Sequence, residues 1–236
     1  RIDAKTIGKV YGAKENSYTA GTLCAKVGRY AERVHHPDRL KTPLRRIGKK
    51  GVGFSAFTPI SWDEALDEVA MQFKQATEKL GSETVWPHFY AGTMGLVQRD
   101  GIDRLRHVMN YSRQHSTICS AASDTGWKAG TGVKRGVDAR EIGEHSDVVV
   151  LWGTNAVHTQ VNLMHHVSKA RRRGARLVVV DPYRNATAEK ADLHIMLQPG
   201  SDGALAAALM HVLLEEKLAD LDYLFQYTDF NSELQD

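Results

Sequence analysis

Asp147-Val-Val-Val-Leu-Trp-Gly-Thr-Asn155 is a short continuous apolar run, rich in β-branched residues and closed by a glycine and two small polar residues. That combination predicts a buried strand turning sharply into the next element. The pattern recurs in Leu177-Val-Val-Val-Asp181 and again in Leu193-His-Ile-Met-Leu197. Helical spacing of apolar residues fills residues 157–173 between the first two runs, and residues 202–216 after the third. Strands without polar alternation are buried on both faces, and strands alternating with helices pair in parallel. The expected fold is α/β, a parallel Rossmann-like sheet with helices on both faces.

In such a sheet ligands lie beyond the carboxyl ends of the strands. The loops at those ends are Gly153-Thr-Asn155 after Trp152, Asp181-Pro-Tyr-Arg-Asn185, and Pro199-Gly-Ser-Asp202. A glycine at position 153 lets backbone amides approach a pyrophosphate, and the helix that follows adds the positive end of its dipole. Asp181, at the end of the next strand, is placed to hold a ribose or a base. Asp202 offers two acceptor oxygens to a guanine edge, while Asp202 or Ser201 could equally cap the helix that begins there. None of the three loops carries a full GxGxxG, so they indicate a nucleotide without saying which.

Upstream, Ser61-Trp-Asp-Glu64 has the spacing of a capping box and predicts a helix from Trp62, with Leu66, Val69, Ala70, Phe73, Ala76 and Leu80 on one face and Gly81 as its stop. Thr84-Val-Trp-Pro-His-Phe-Tyr90 reads as a strand interrupted by Pro87, followed by a glycine-bearing loop over residues 92–95 and a helix over residues 96–111. Residues 1–58 are rich in Gly, Lys and Arg. They are expected to form a small irregular or β region with a helix only over residues 24–34. The expected organisation is residues 1–58 as one region and 59–236 as an α/β domain.

The chain has 236 residues, 42% hydrophobic and 25% charged, with a net charge of +3. Charge is unevenly spread, since residues 1–53 hold 13 Lys and Arg against 4 Asp and Glu, and the remainder holds 18 against 24. The basic end is expected to face something anionic, either a phosphate-rich cofactor, a nucleic acid or an acidic neighbour. No apolar run is long enough to span a bilayer, and the first residues lack the apolar stretch of a signal peptide. Insertion into a membrane is not expected, and the expected location is the cytoplasm. The chain opens on Arg1 rather than methionine, which leads us to expect a portion of something longer.

Two cysteines, Cys24 and Cys119, are far apart in sequence, which argues against a disulfide framework. Cys119 lies in Arg113-Gln-His-Ser-Thr-Ile-Cys-Ser-Ala-Ala-Ser-Asp-Thr-Gly126, among small polar, turn-forming residues that would expose a thiol on a loop. His115 precedes it by four residues, but one His and one Cys do not make a zinc site. Cys24 sits in Gly21-Thr-Leu-Cys-Ala-Lys26, with a cation two residues away. The pairs His35-His36 and His165-His166 are expected on solvated surface or at helix edges.

Taken together, these blocks resemble the molybdopterin oxidoreductases of the dimethyl sulfoxide reductase class, which include formate dehydrogenases and nitrate reductases. The resemblance rests on Gly21-Thr-Leu-Cys-Ala-Lys26 with His36-Pro-Asp-Arg-Leu40, Ile60-Ser-Trp-Asp-Glu-Ala-Leu66, Leu151-Trp-Gly-Thr-Asn155, Val180-Asp-Pro182 with Thr187-Ala188 and Ala191-Asp-Leu193, and Pro199-Gly-Ser-Asp-Gly-Ala-Leu205, in the family's order. It implies that Cys119 is the catalytic side chain that binds molybdenum or tungsten. The metal would also be held by two molybdopterin guanine dinucleotides. Trp152, Gly153, Thr154 and Asn155, then Asp181, Pro182, Tyr183, Arg184 and Asn185, then Gly200, Ser201 and Asp202 fall on segments that contact one guanine dinucleotide. Lys26 falls where a lysine bridges cluster and pterin, and Cys24 on the last of four ligands to a [4Fe-4S] cluster in the full-length protein. The first three cluster cysteines of the family are not in this chain. Residue 120 is serine, where formate dehydrogenases carry histidine.

The resemblance implies two-electron redox chemistry on a small-molecule substrate, with an electron-transfer partner protein and no nucleic acid. The isolated segment is expected to be inactive. Two alternatives use the same scaffold: a non-redox hydratase with the metal as Lewis acid, and a metal-free structural subunit of a respiratory complex.

Overall fold

The computed structural model describes residues 2–88, 95–114 and 118–230. Helices α1 (Ala25–Gly28) and α2 (Tyr30–Val34) precede strands β1 (Leu44–Arg46) and β2 (Phe57–Pro59). Helices α3 (Trp62–Leu80), α4 (Leu96–Met109), α5 (Ile118–Thr131) and α6 (Ala139–His145) come next. Strand β3 (Val148–Trp152), helices α7 (Ala156–Thr159) and α8 (Val161–Arg172), strands β4 (Arg176–Val180) and β5 (Leu193–Ile195), and helices α9 (Asp202–Glu215) and α10 (Leu221–Tyr227) complete the order. The chain divides into two compact units, residues 1–32 with 137–236, and residues 33–136. Residues 58 and 59, where the sequence suggested a regional boundary, fall inside β2 of the second unit.

The first unit is built on a parallel sheet of order β3-β4-β5, with Val150 opposite Val178 and Val180 opposite Ile195. All three apolar runs are therefore strands, and the fold is α/β as the alternation predicted. Val149, Leu151, Leu177 and Val179 point to one face and join Val167 and Ala170 of α8 in the core, where Leu177, Val167 and Val179 are fully buried. Burying one such side chain stabilises the fold by about 1.5–3 kcal/mol. Helix α6 packs on α8. On the other face Val148 and Val150 are 57% and 51% exposed. The expected helix over residues 157–173 is two helices, because Gln160 adopts φ −139°, ψ 56° and breaks it after α7.

His166 corrects the surface expectation for the second histidine pair. It is 3% exposed, and its Nε2 lies 2.7 Å from the Tyr18 carbonyl oxygen, fastening the amino-terminal segment to α8. Arg140 reinforces that attachment by donating from Nη1 to Ser17 Oγ at 2.8 Å. Asp138 caps α6 by accepting from the Arg140 amide at 2.9 Å and also accepts from its Nε at 3.0 Å. The Arg140 side chain first, then its backbone N–H, lower the Asp138 carboxyl from its ordinary 3.8 to about 2. A depressed carboxyl stabilises the fold above its unfolded pKa and loses that contribution as pH falls through the folded one. The melting-temperature gap between wild type and Asp138→Asn is thus expected to hold steady above about pH 4 and to close as pH approaches about 2.

In the second unit β1 and β2 form an antiparallel pair, with Arg45 opposite Thr58. Arg45 Nε donates to Glu68 Oε2 of α3 at 2.7 Å, tying the pair to that helix. The capping box is present as read: Ser61 Oγ accepts from the Glu64 amide at 3.1 Å and Glu64 Oε2 accepts from the Ser61 amide at 2.8 Å. Those contacts, the backbone one foremost, lower the Glu64 carboxyl below its usual range. Ser61→Ala is expected to cost about 1 kcal/mol, read from denaturant unfolding. Gly81 ends α3 at φ +94°, a value open to glycine.

The strand expected near Pro87 is not formed over residues 85–88. Val85 instead donates its amide to the Ser82 carbonyl at 3.1 Å and accepts at its carbonyl from the Ser112 amide at 3.0 Å, and Pro87 has no N–H to extend a ladder. Residues 89 and 90 lie outside the described residues, as do 92–94 of the glycine-bearing loop. No helix among the described residues is long and apolar enough to cross a membrane.

Candidate nucleotide rim and reactive thiol

The rim at the carboxyl ends of β3, β4 and β5 is held by a buried polar network. Asp181 and Asn185 are 7% and 3% exposed, and Thr187 is fully buried. Asp181 Oδ1 accepts from the Tyr183 amide at 3.1 Å, and its Oδ2 from Asn185 Nδ2 at 2.8 Å. Asn185 Oδ1 then accepts from the amides of Thr187 and Ala188, at 2.9 and 3.0 Å. Thr187 Oγ1 donates to Asn155 Oδ1 at 2.9 Å and accepts from the Val157 amide at 3.0 Å. The buried side chains of Asp181, Asn185 and Thr187 all have partners, as burial requires. Asp181, Asn185 and Asn155 accordingly spend these bonds on shaping the loops that follow β3 and β4.

What that framework presents outward is a different set. Pro182, Tyr183 and Arg184 are exposed, Tyr183 by 62%. Gly153 turns at φ +64° and Gly200 at φ +87°, and at both a Cβ would meet nothing within 4 Å. These two positions leave open backbone where a ligand can approach closely. The Gly153 amide itself is committed to the Val180 carbonyl at 2.8 Å, so its contribution is the turn and the open space rather than a free donor. Thr154 is half-buried beside it.

The helix start after β5 departs from both capping expectations. Ser201 occupies the N-cap of α9 but its hydroxyl donates to the Gln198 carbonyl at 2.7 Å, and it makes no side-chain cap. Asp202, exposed at the first position of α9, accepts at Oδ1 from Trp152 Nε1 at 2.6 Å. That bond joins the end of β3 to the start of α9. Sequence spacing gave no sign of it, since the two residues are 50 positions apart. Thr187 was legible only as part of a motif and not as the hub it proves to be.

Cys119 lies in the first turn of α5 in the second unit, not on a loop, and its side chain is exposed. Helical geometry there follows from Ala121, Ala122 and the capped contacts of Ser123 and Thr125 to carbonyls one turn back. His115 lies outside the described residues. Cys24, half-buried, is the N-cap of α1, and the exposed Lys26 sits within that helix. Among the described residues no group of three or more His, Cys, Asp or Glu could hold a metal ion.

Comparison with known proteins agrees with this geometry. A family profile for molybdopterin oxidoreductase matches residues 39–229. The chain is 39% identical over 235 residues to the probable oxidoreductase YoaE of Bacillus subtilis, covering 99% of this chain and 34% of that protein. It is 32% identical to the dimethyl sulfoxide reductase DmsA of Haemophilus influenzae, covering 86% of this chain and 27% of that protein. Acetylene hydratase from Pelobacter acetylenicus superposes with a TM-score of 0.58 and 25% identity, over 93% of this chain and 30% of that one. The chain thus spans about a third of the length of the relatives it matches. With a family profile matched over most of its length, the chain belongs to the molybdopterin oxidoreductase family.

Proposed function

We propose that this chain forms the part of a molybdenum or tungsten oxidoreductase that cradles one guanine dinucleotide of a bis-molybdopterin cofactor and supplies Cys119 as the protein ligand to the metal. The observation that carries the reading is the rim itself. Open backbone at Gly153 and Gly200, an exposed arginine at position 184 and a tethered carboxylate at Asp202 fit a ligand with phosphates and a base. When bound, such a cofactor supplies a metal that changes oxidation state by two electrons.

The chain's own residues would divide the remaining work. Arg184 and the open glycine backbone hold phosphate oxygens, Tyr183 and Pro182 flank them, and Trp152, Thr154 and Ser201 line the base end. The buried Asp181 and Asn185 and the half-buried Asn155 keep the loops in shape. The exposed Cys119 thiol gives a soft sulfur donor suited to such a metal. A [4Fe-4S] cluster needs four thiolates, and this chain has two cysteines. The residues present do not complete that cluster; Cys24 would supply one of its thiolates in the full-length protein, with Lys26 two residues on.

Redox turnover with a small oxidised substrate and an electron-donating partner protein is the first reading. The fold likeness to acetylene hydratase favours a second, hydration with no net electron transfer. Steady-state assays of the full-length protein with a reduced viologen dye separate them. Dye oxidation that depends on an added S-oxide or nitrate is expected; turnover of an alkyne with no dye consumed would overturn the redox reading.

A further inference from the structure

We infer that His166 is a positioning residue for the Cys24 thiol. Through one hydrogen bond to the Tyr18 carbonyl it latches the amino-terminal arm to α8, so that the thiol is presented at a fixed place before any cofactor is loaded. The inference rests on the proposal that Cys24 is one thiolate of an iron–sulfur cluster in the full-length protein. It goes further in naming what holds that thiol.

The arm has no buried core of its own, since none of residues 2–32 is buried. Side chains of the sheet-bearing part of the same unit reach it instead. His166 Nε2 faces the Tyr18 carbonyl oxygen at 2.7 Å, so it carries the hydrogen and donates, and Arg140 Nη1 donates to Ser17 Oγ at 2.8 Å. His166 is 3% exposed, and its other ring nitrogen, Nδ1, is buried with no partner among the described residues. An unpaired buried polar atom lowers stability, so an aliphatic side chain would serve packing better at this position. What the imidazole adds is the bond to the arm.

The latch reaches Cys24 through a stiff connection. Asn16 Oδ1 accepts from the amides of Tyr18 and Thr19, both at 3.0 Å. The Ala20 amide donates to the Asn16 carbonyl at 2.7 Å, and the Thr22 amide to the Thr19 carbonyl at 2.7 Å. Gly12 closes this loop from the other side. A Cβ there would lie 2.2 Å from the Gly21 carbonyl oxygen, so only glycine permits the approach. Cys24 follows Tyr18 by six positions and opens α1, where its carbonyl accepts from the Gly28 amide at 3.0 Å. Successive hydrogen-bonded turns leave little slack, and fixing Tyr18 therefore fixes the thiol.

The test uses the full-length protein, with iodoacetamide as the probe after a chelator has removed iron, and mass spectrometry reads each cysteine separately. His166→Leu fills the space without the donor. Cys24 alkylation is then expected to accelerate by at least about fivefold, while Cys119, already exposed in the other unit, keeps its rate. His166→Gln retains an N–H donor and is expected to stay within about twofold of wild type. Val167→Ala, at the next position of α8, removes fully buried volume but no bond to the arm, and is also expected to stay within about twofold. Equal acceleration by His166→Leu and Val167→Ala would mean that the histidine is only part of the core, and that result, or a wild-type rate in His166→Leu, would overturn the latch. In the iron-loaded protein the electron paramagnetic resonance signal of the reduced cluster is expected to vanish in Cys24→Ala, to shift in His166→Leu and to return to the wild-type form in His166→Gln. An unshifted signal in His166→Leu would overturn the positioning role, whereas an unchanged signal in Cys24→Ala would overturn the cluster reading beneath it.

Discussion

Cys119→Ala in the full-length protein is expected to abolish turnover, by a factor of at least about a thousand, while pterin remains bound. The reasoning separates the two functions by location. Cys119 lies in the first turn of α5, whereas the rim residues belong to the other compact unit. An exposed thiol makes no core contacts, so its removal should leave folding intact, and exposed substitutions generally change stability by less than about 0.5 kcal/mol. A metal that loses a protein thiolate donor is altered in charge and geometry, and ligand changes of that kind are felt directly in reactivity. Pterin fluorescence after denaturation, compared with activity, reads both quantities in one preparation. Normal activity in the variant would remove Cys119 from the site.

The second large effect is structural. Asn185→Ala is expected to destabilise the protein by about 3–5 kcal/mol, because the variant strips a partner from Asp181 Oδ2 and from the amides of Thr187 and Ala188 at once. All of these groups are at or near full burial, so water cannot replace the lost amide. Tyr183→Ala, two residues earlier, is the contrast. That side chain is 62% exposed, and its removal is expected to leave stability nearly unchanged while lowering cofactor content. Urea unfolding of both variants checks the first expectation, and pterin content the second. Equal destabilisation by the two would mean that the rim loop is not held together through Asn185.

The parallel sheet was legible because Val148-Val-Val-Leu-Trp152 and Leu177-Val-Val-Val180 are short, apolar and rich in β-branched residues, a composition that favours strands. The capping box was legible because Ser61 and Glu64 interact within one turn. Both signals are local. What escaped the sequence was long-range. His166 looked like a surface histidine until the Tyr18 carbonyl, 148 residues away, was brought to its ring. Asp181 looked like a ligand contact at the end of a strand, and the fold gives its two oxygens to Tyr183 and Asn185. Asp202 looked like either a base acceptor or a cap, and the fold adds a bond to it from Trp152 that neither reading foresaw. Cys119 was read as a loop residue because small polar residues surround it. Yet Ser123 and Thr125 bond to carbonyls three and four residues back, which lets a helix tolerate them. Pairings set by tertiary contact leave no trace in spacing.

X-ray absorption at the molybdenum and tungsten edges, on the purified full-length protein and on Cys119→Ala, tests the thiol ligand most directly. Wild type is expected to contain one of the two metals in a sulfur-rich shell, and the variant to show one sulfur neighbour fewer at the same metal content. A wild type without either metal, or a variant with an unchanged shell, would contradict the assignment.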